Sequence, residues 1–251
     1  MKTLVITQAR TGSTRLPNKI LLEINGKSLL EIHINRIKRS KKVNAILIAT
    51  TNQKNDQVIE DMANCYNVLL YQGSETDVLD RFYQAAKLHC PKFVVRLTSD
   101  CPLIDPILLD EVISEAEKKD LDYYTNILEE KYPDGQDIEV FKFSALEKAW
   151  KEATLKSDRE HVTPYIKDNS TYKGFSKFTS DNHDLEKNYN HVRLTVDEQK
   201  DFDVISLLIN SLGVEKNWKT YADYYLNNKN VRSLNQQITR NEGYEKSLKE
   251  N

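Results

Sequence analysis

Short apolar runs and longer amphipathic stripes alternate along the first half of the chain. Leu4, Val5 and Ile6, and then the runs at 45–50, 68–71 and 93–97, are too short for helices and are bounded by polar residues, which predicts buried strands. Between them Leu30, His33, Ile34 and Ile37 recur at helical spacing, and Ser28 with Glu31 forms a capping-box pattern just ahead. His33 on that stripe is expected to be packed. Residues 56–66 and 107–119 read as helices. Another opens after Gly73, with Ser74 as cap and Asp77 three positions on, and stops at Pro91. Strands and helices alternating at this spacing predict βαβ units and a mostly parallel sheet, helix-covered on both faces, with right-handed crossovers.

From residue 121 the rhythm changes. Strands at 122–126 and 138–141 flank the turn-rich KYPDGQ at 131–136, and 144–153 reads as a helix. Ser157 and Glu160 repeat the capping-box pattern, predicting a helix through 166, while 169–190 has no clear period. The parallel sheet is expected to resume at 191–197, followed by a helix over 198–212. From Trp218 onward Tyr221, Tyr224, Tyr225 and Leu226 offer packing surface before a polar end expected to fray. The reading is one domain over 1–251, with an inserted arm at about 125–175 and a C-terminal tail at 218–251.

Composition narrows the classes. Charged residues make up 29% of the 251 and hydrophobic ones 39%, which suits a soluble globular α/β protein. A net charge of −2 makes no electrostatic case for nucleic acid. No apolar run approaches the ~20 residues of a membrane span, so no membrane insertion is expected and the cytoplasm is the expected location. Cys65, Cys90 and Cys101 are widely spaced without a C-x-x-C and are expected to be reduced, buried thiols.

The densest chemistry lies in RTGSTRLPNK at 10–19. Directly after the first strand, a small-residue loop carries Arg10, Arg15 and Lys19, and no Asp or Glu occurs before Glu23. Backbone N–H groups of such a loop, completed by cations, suit a triphosphate. Neither G-x-x-x-x-G-K-[ST] nor G-x-G-x-x-G is present. Asp100 and Asp197 each close an apolar run, and carboxylates at the ligand edge of a parallel sheet can hold Mg²⁺ or merely cap turns. Asp77 and Arg81 fit either contact with a nucleotide or a helix-dipole charge with its i+4 partner.

The 10–19 segment resembles the N-terminal signature of the cytidylyltransferases that make CMP-activated sugars, including the acylneuraminate and 3-deoxy-manno-octulosonate enzymes. TSDCPLIDP at 98–106 and LTVD at 194–197 are similar to the family's second and third motifs. PDGQDIEVF (133–141), SDREHVTPY (157–165) and RNEGYEKSL (240–248) look like the branch of spore-coat polysaccharide biosynthesis protein F. The resemblance implies a three-layer αβα Rossmann-like nucleotide-diphospho-sugar transferase fold and Mg²⁺-dependent transfer of CMP from CTP, with pyrophosphate leaving. It implies Arg10, Arg15 and Lys19 as the catalytic cations. Gln8, Ala9, Thr11, Gly12, Ser13, Asp77, Arg81 and Thr98 would join them around the nucleotide, with Asp100 and Asp197 as metal ligands.

By segment matching, Asp134, Gln136, Asp137, Glu139, Arg159, Glu160 and His161 would line an acceptor pocket. Solvated turns and helix capping are the alternative for these seven. Thr98 departs from the octulosonate enzymes, which have Gln there. An acidic sugar, a sugar or polyol phosphate, or a phosphonate would be the acceptor, and a homodimer is expected by family likeness. A metal-dependent glycosyltransferase and a catalytically silent nucleotide-binding module are the competing readings. The first lacks its D-x-D here.

Overall fold

The computed structural model describes residues 1–248; the last three residues of the expected tail, 249–251, lie outside the described residues. β1 (Thr3–Gln8) leads into the cation loop, a 3-10 turn (Lys19–Leu21) and a hairpin of β2 (Glu23–Ile24) and β3 (Lys27–Ser28). Then come α1 (Leu29–Ile37), β4 (Ala45–Thr51), α2 (Gln57–Cys65), β5 (Leu69–Gly73), α3 (Val78–Lys87), β6 (Phe93–Thr98) and α4 (Pro106–Lys119). The second half supplies β7 (Tyr123–Thr125), β8 (Glu139–Lys142), α5 (Phe143–Glu152), α6 (Lys156–His161), α7 (Pro164–Asp168) and β9 (Ser180–Asn182). Four helices close the chain: α8 (Gln199–Leu212), α9 (Trp218–Asn227), α10 (Lys229–Asn235) and α11 (Glu242–Leu248).

The main sheet runs β5-β4-β1-β6-β8-β7-β9. β5, β4, β1 and β6 are parallel, β8 is antiparallel to both its neighbours, and β9 is parallel to β7. Strand alternation sorts the core into layers. Val5, Ile46, Ile48 and Val95 face α1, α2 and α4, whereas Leu4, Ile6, Leu47 and Val94 face α3 and α5. Each such fully buried aliphatic side chain contributes roughly 1.5–3 kcal/mol. This is the three-layer αβα arrangement, with β1 and β6 side by side at its centre.

α1 is buried on more faces than its stripe suggests. Leu29, Ile32 and Arg36 are covered as well, and the Arg36 Nε donates to the Ile104 carbonyl at 2.7 Å. His33 is fully buried. The Cys101 carbonyl can only accept, so the ring carries its proton on Nδ1 (2.8 Å), and Nε2 accepts from the Thr7 hydroxyl at 3.0 Å.

Five expectations need correcting. Residues 191–197 do not rejoin the sheet. They cross its ligand edge as an extended segment with one bridge, Asp134 to Arg193, and bury Val192, Leu194 and Val196 against α8 and α9. Gly135, at φ +99°, permits this crossing, since a Cβ there would lie 2.7 Å from the Leu194 carbonyl carbon. The stretch at 125–175, expected as an inserted arm, is built into the body through β8 and α5–α7. The helix expected over 157–166 breaks at Val162 (φ 74°, ψ −56°), where Thr163 N donates back to the His161 carbonyl at 2.9 Å. That bond closes a strained γ-turn, and Pro164 restarts the helix. Asp77, not Ser74, caps α3, accepting from Asp80 N at 2.9 Å, while Ser74 Oγ accepts from Asp77 N. Cys101 alone among the three cysteines is buried; Cys65 and Cys90 are exposed.

Candidate active site

A cavity of about 600 Å³ opens at the carboxyl edge of β1 and β6, the edge where parallel sheets bind ligands. Its floor comes from the ends of those strands and the loop between β1 and the 3-10 turn. Gln8 at the end of β1 and Ala9, Arg10, Ser13, Arg15 and Lys19 beyond it line the cavity, with Thr98 from the end of β6 and Asp100 from the turn that follows. Asp197 closes the floor, Arg81 reaches in from α3, and Glu160 and His161 form the opposite wall.

The loop is held from beneath. Thr11, expected at the nucleotide, is buried instead, and both its N–H and its hydroxyl donate to Asp56 Oδ1 at 2.7 Å. The Thr51 hydroxyl bonds the other oxygen of the same carboxylate. Burial would raise the Asp56 carboxyl, but these hydrogen bonds lower it below its ordinary range, so it stays an anion under a cationic loop. A Cβ on Gly12 would meet Glu75 Oε1 at an ordinary contact distance of 3.9 Å, so packing does not demand glycine there.

Lys19 sits at the centre. Its Nζ lies 2.9 Å from Asp100 Oδ2 and 2.8 Å from Asp197 Oδ1. Burial alone would lower the ammonium, but the two carboxylates outweigh it and its pKa is raised. Burial would likewise raise Asp100; Lys19 and hydrogen bonding from Thr98 hold it well below the usual carboxylate range. Arg15 reaches Asp197 Oδ1 at 3.2 Å and Glu242 at 3.2 Å, and Arg10 lies 3.4 Å from Glu75. Arg81 is lowered to about 10 by burial and by Arg10, which leaves it charged at neutral pH. Its Nη1 donates to the Ser74 carbonyl at 2.7 Å, and its buried Nε has no partner among the described residues.

Asp100 and Asp197 therefore present oxygens to one point, now taken by an ammonium. Two carboxylates and no softer ligand fit Mg²⁺, which completes its shell with phosphate oxygens and water. Among the described residues no group of three or more His, Cys, Asp or Glu side chains forms an all-protein metal cage.

Several residues expected at the acceptor are not brought to the cavity. The Arg159 Nη2 pairs with Asp77 at 2.7 Å, and its Nη1 donates to the carbonyls of Trp150 and Ala153, so both Arg159 and Asp77 stand behind the wall. Asp134 pairs with Arg193 at 2.6 Å, and Asp137 with Arg240 at 2.6 Å. Gln136 is fully buried between Asp105 N and the Leu103 carbonyl, and Glu139 pairs with Arg96 at 2.5 Å and with the Tyr123 hydroxyl at 2.6 Å. These four form a scaffold beneath the site.

Arg193 escaped the sequence reading. Its guanidinium, 7% exposed, bonds Asp134, both oxygens of Asp201, and Asp197 Oδ2 at 3.1 Å. One Asp197 oxygen is thus fixed from behind while the other faces the cavity. Its one signal in the sequence is an arginine alternating with Val192, Leu194 and Val196 in a buried run. The C-terminal helix was also missed as a site element, since Ser247 lines the cavity.

The family model for cytidylyltransferases matches residues 4–240. The chain belongs to the cytidylyltransferase family. It is a nucleotidyltransferase. An uncharacterized protein of Methanocaldococcus jannaschii, MJ1063, is 44% identical over 204 residues, 80% of this chain and 81% of that one. The spore coat polysaccharide biosynthesis protein SpsF of Bacillus subtilis is 33% identical over 221 residues, 84% and 87% of the two chains. The solved structure of a cytidylyltransferase from Leptospira borgpetersenii superposes with a TM-score of 0.85 at 32% identity, covering 95% of this chain and 98% of that one. In this cytidylyltransferase every cavity residue named above except Ser247 falls inside the family-matched segment.

Proposed function

We propose that this cytidylyltransferase transfers CMP from CTP to a small polyhydroxylated acceptor of the sugar-acid or sugar-phosphate class, with Mg²⁺, for surface-glycan synthesis. The observation that carries the reading is Lys19 held between Asp100 and Asp197 on the cavity floor, with Arg10 and Arg15 beside it. An acceptor oxygen attacks the α-phosphorus in line, the bond to the pyrophosphate oxygen breaks, and the acceptor's proton passes to solvent. Such chemistry needs positioning and charge neutralisation rather than a nucleophilic side chain.

Arg10 and Arg15 exchange their carboxylate partners for β- and γ-phosphate oxygens and neutralise the leaving pyrophosphate. Lys19 would yield the point between the two carboxylates to Mg²⁺ and carry its own positive charge to the α-phosphate. Mg²⁺ on Asp100 and Asp197 would supply further neutralisation of phosphate charge. Glu160 and His161 face the acceptor.

Calorimetry with CTP, UTP, GTP and ATP, with and without Mg²⁺, tests the nucleotide half of this reading. A Mg²⁺-dependent preference for CTP that Asp100→Asn abolishes is the expected result, and a preference for another nucleotide refutes it. Pyrophosphate release with candidate acceptors then separates nucleotidyl transfer from use of a ready-made nucleotide sugar, which releases none.

A further inference from the structure

The family match stops at Arg240, but the site does not. Arg240 is pinned by Asp137 at 2.6 Å and by the Tyr132 carbonyl at 3.2 Å. The chain then turns at Asn241 (φ 60°), whose side-chain amide donates to Glu130 at 2.7 Å, and α11 lies down along α6. Three of its residues meet the site. Glu242 reaches Arg15, the Tyr244 ring meets His161 edge-on at 5.0 Å, and Ser247 lines the cavity.

The Ser247 hydroxyl has one proton. It donates that proton to Glu160 Oε2 at 2.9 Å, and it therefore accepts from His161 Nε2 at 3.0 Å. The serine orders both polar groups of the acceptor wall at once and leaves Nδ1 as the basic nitrogen of the neutral ring. His161 is also the residue just before the strained γ-turn at Val162. Backbone strain of this kind persists where the surrounding structure demands a particular geometry.

We propose that α11 is the acceptor-specificity wall of this enzyme, with Ser247 contacting the acceptor and Tyr244 positioning the His161 ring. The proposal rests on the cytidylyl-transfer reading above. A hydroxyl, a carboxylate, an imidazole and, at Lys156, an ammonium stand on one wall. Donors and acceptors interleaved in this way suit vicinal hydroxyls of a sugar or polyol rather than an aromatic or apolar acceptor. Within α11 it is Glu242 that reaches a floor cation, whereas Ser247 and Tyr244 meet Glu160 and His161, so these two positions can change without disturbing CTP binding.

The test uses the full chain carrying Ser247→Trp, which fills the acceptor side, or Tyr244→Ala, which opens it. CTP affinity with Mg²⁺ is measured by calorimetry and doubles as the check on folding. Pyrophosphate release is measured with 3-deoxy-manno-octulosonate, with glycerol 3-phosphate and with no added acceptor. In that last arm a water oxygen bonds the α-phosphorus, the bond to pyrophosphate breaks and water's proton passes to solvent.

CTP affinity is expected to stay within threefold in both variants. Ser247→Trp should raise the KM of any accepted probe at least tenfold, and Tyr244→Ala should raise the water rate at least threefold by admitting solvent. A tenfold loss of CTP affinity in either variant would overturn the proposal. So would acceptor KM unchanged by Ser247→Trp. If wild type takes neither probe, the water arm decides, and a rate equal in wild type and Tyr244→Ala overturns it. Wild type that fails to bind CTP sinks the transfer reading itself, which is a different result.

Discussion

An ammonium less than 3 Å from two carboxylates is a positive charge already stationed on the floor of the cavity proposed for the triphosphate, so it has only a short way to travel to the phosphates. Lys19→Met is expected to lower the rate of pyrophosphate release by about 10²-fold, from a barrier about 3 kcal/mol higher, with the fold intact by circular dichroism. Arg193 acts one layer further back. Removing it leaves Asp134 and Asp201 buried without their cation, so Arg193→Met should cost about 3–5 kcal/mol in denaturant unfolding. Arg193→Lys should recover part of that stability. Its single point charge cannot hold Asp197 and Asp201 together, so the Mg²⁺ concentration needed for CTP binding should rise.

His33 makes the pH prediction at the same scale. Burial depresses its pKa from 6.5 to about 4, so between those values the unfolded chain binds a proton that the folded chain refuses. Its contribution is therefore present above pH 6.5 and is lost as pH falls towards 4, by roughly 3 kcal/mol in total. Carboxylates titrate in part of the same window, so the measurement is a difference. The stability gap between wild type and His33→Gln should narrow, or reverse, between pH 7 and pH 4.5 in urea unfolding.

Among the elements, the ones written in local chemistry were legible. Short apolar runs located β1, β4, β5 and β6, and an amphipathic pattern located α4, because their partners are the sheet and helix layers that such patterns presuppose. The run at 191–197 carries the same apolar signal, but burial does not say what covers it, and α8 and α9 do so instead of a neighbouring strand. The break after His161 is a strained turn that no propensity announces. Gly135 marks a crossing that only the folded chain creates. Gly135→Ala should therefore be destabilising by about 1–3 kcal/mol in thermal unfolding and should weaken Mg²⁺-dependent CTP binding, because relieving the clash moves the Leu194 backbone that carries Asp197.

On the scale of the whole molecule, three layers converge on one edge. β1 delivers the loop, β6 delivers Asp100, and the crossing segment delivers Asp197 from nearly a hundred residues away. Binding that joins these parts should stabilise them together. At about 100 times its Kd, CTP with Mg²⁺ adds about 2.7 kcal/mol, which should raise the melting temperature by about 5–10 °C, and ATP should raise it less. The sequence by itself determined the alternating α/β architecture, the cation loop and the two strand-end acids, because each is encoded in neighbouring residues. Tertiary structure alone decided which charges meet. It gave Arg159 to Asp77, Asp134 to Arg193 and Glu139 to Arg96, and it brought Ser247 to His161. A side chain's partner is set by which distant elements pack against it, and no periodicity along the chain records that.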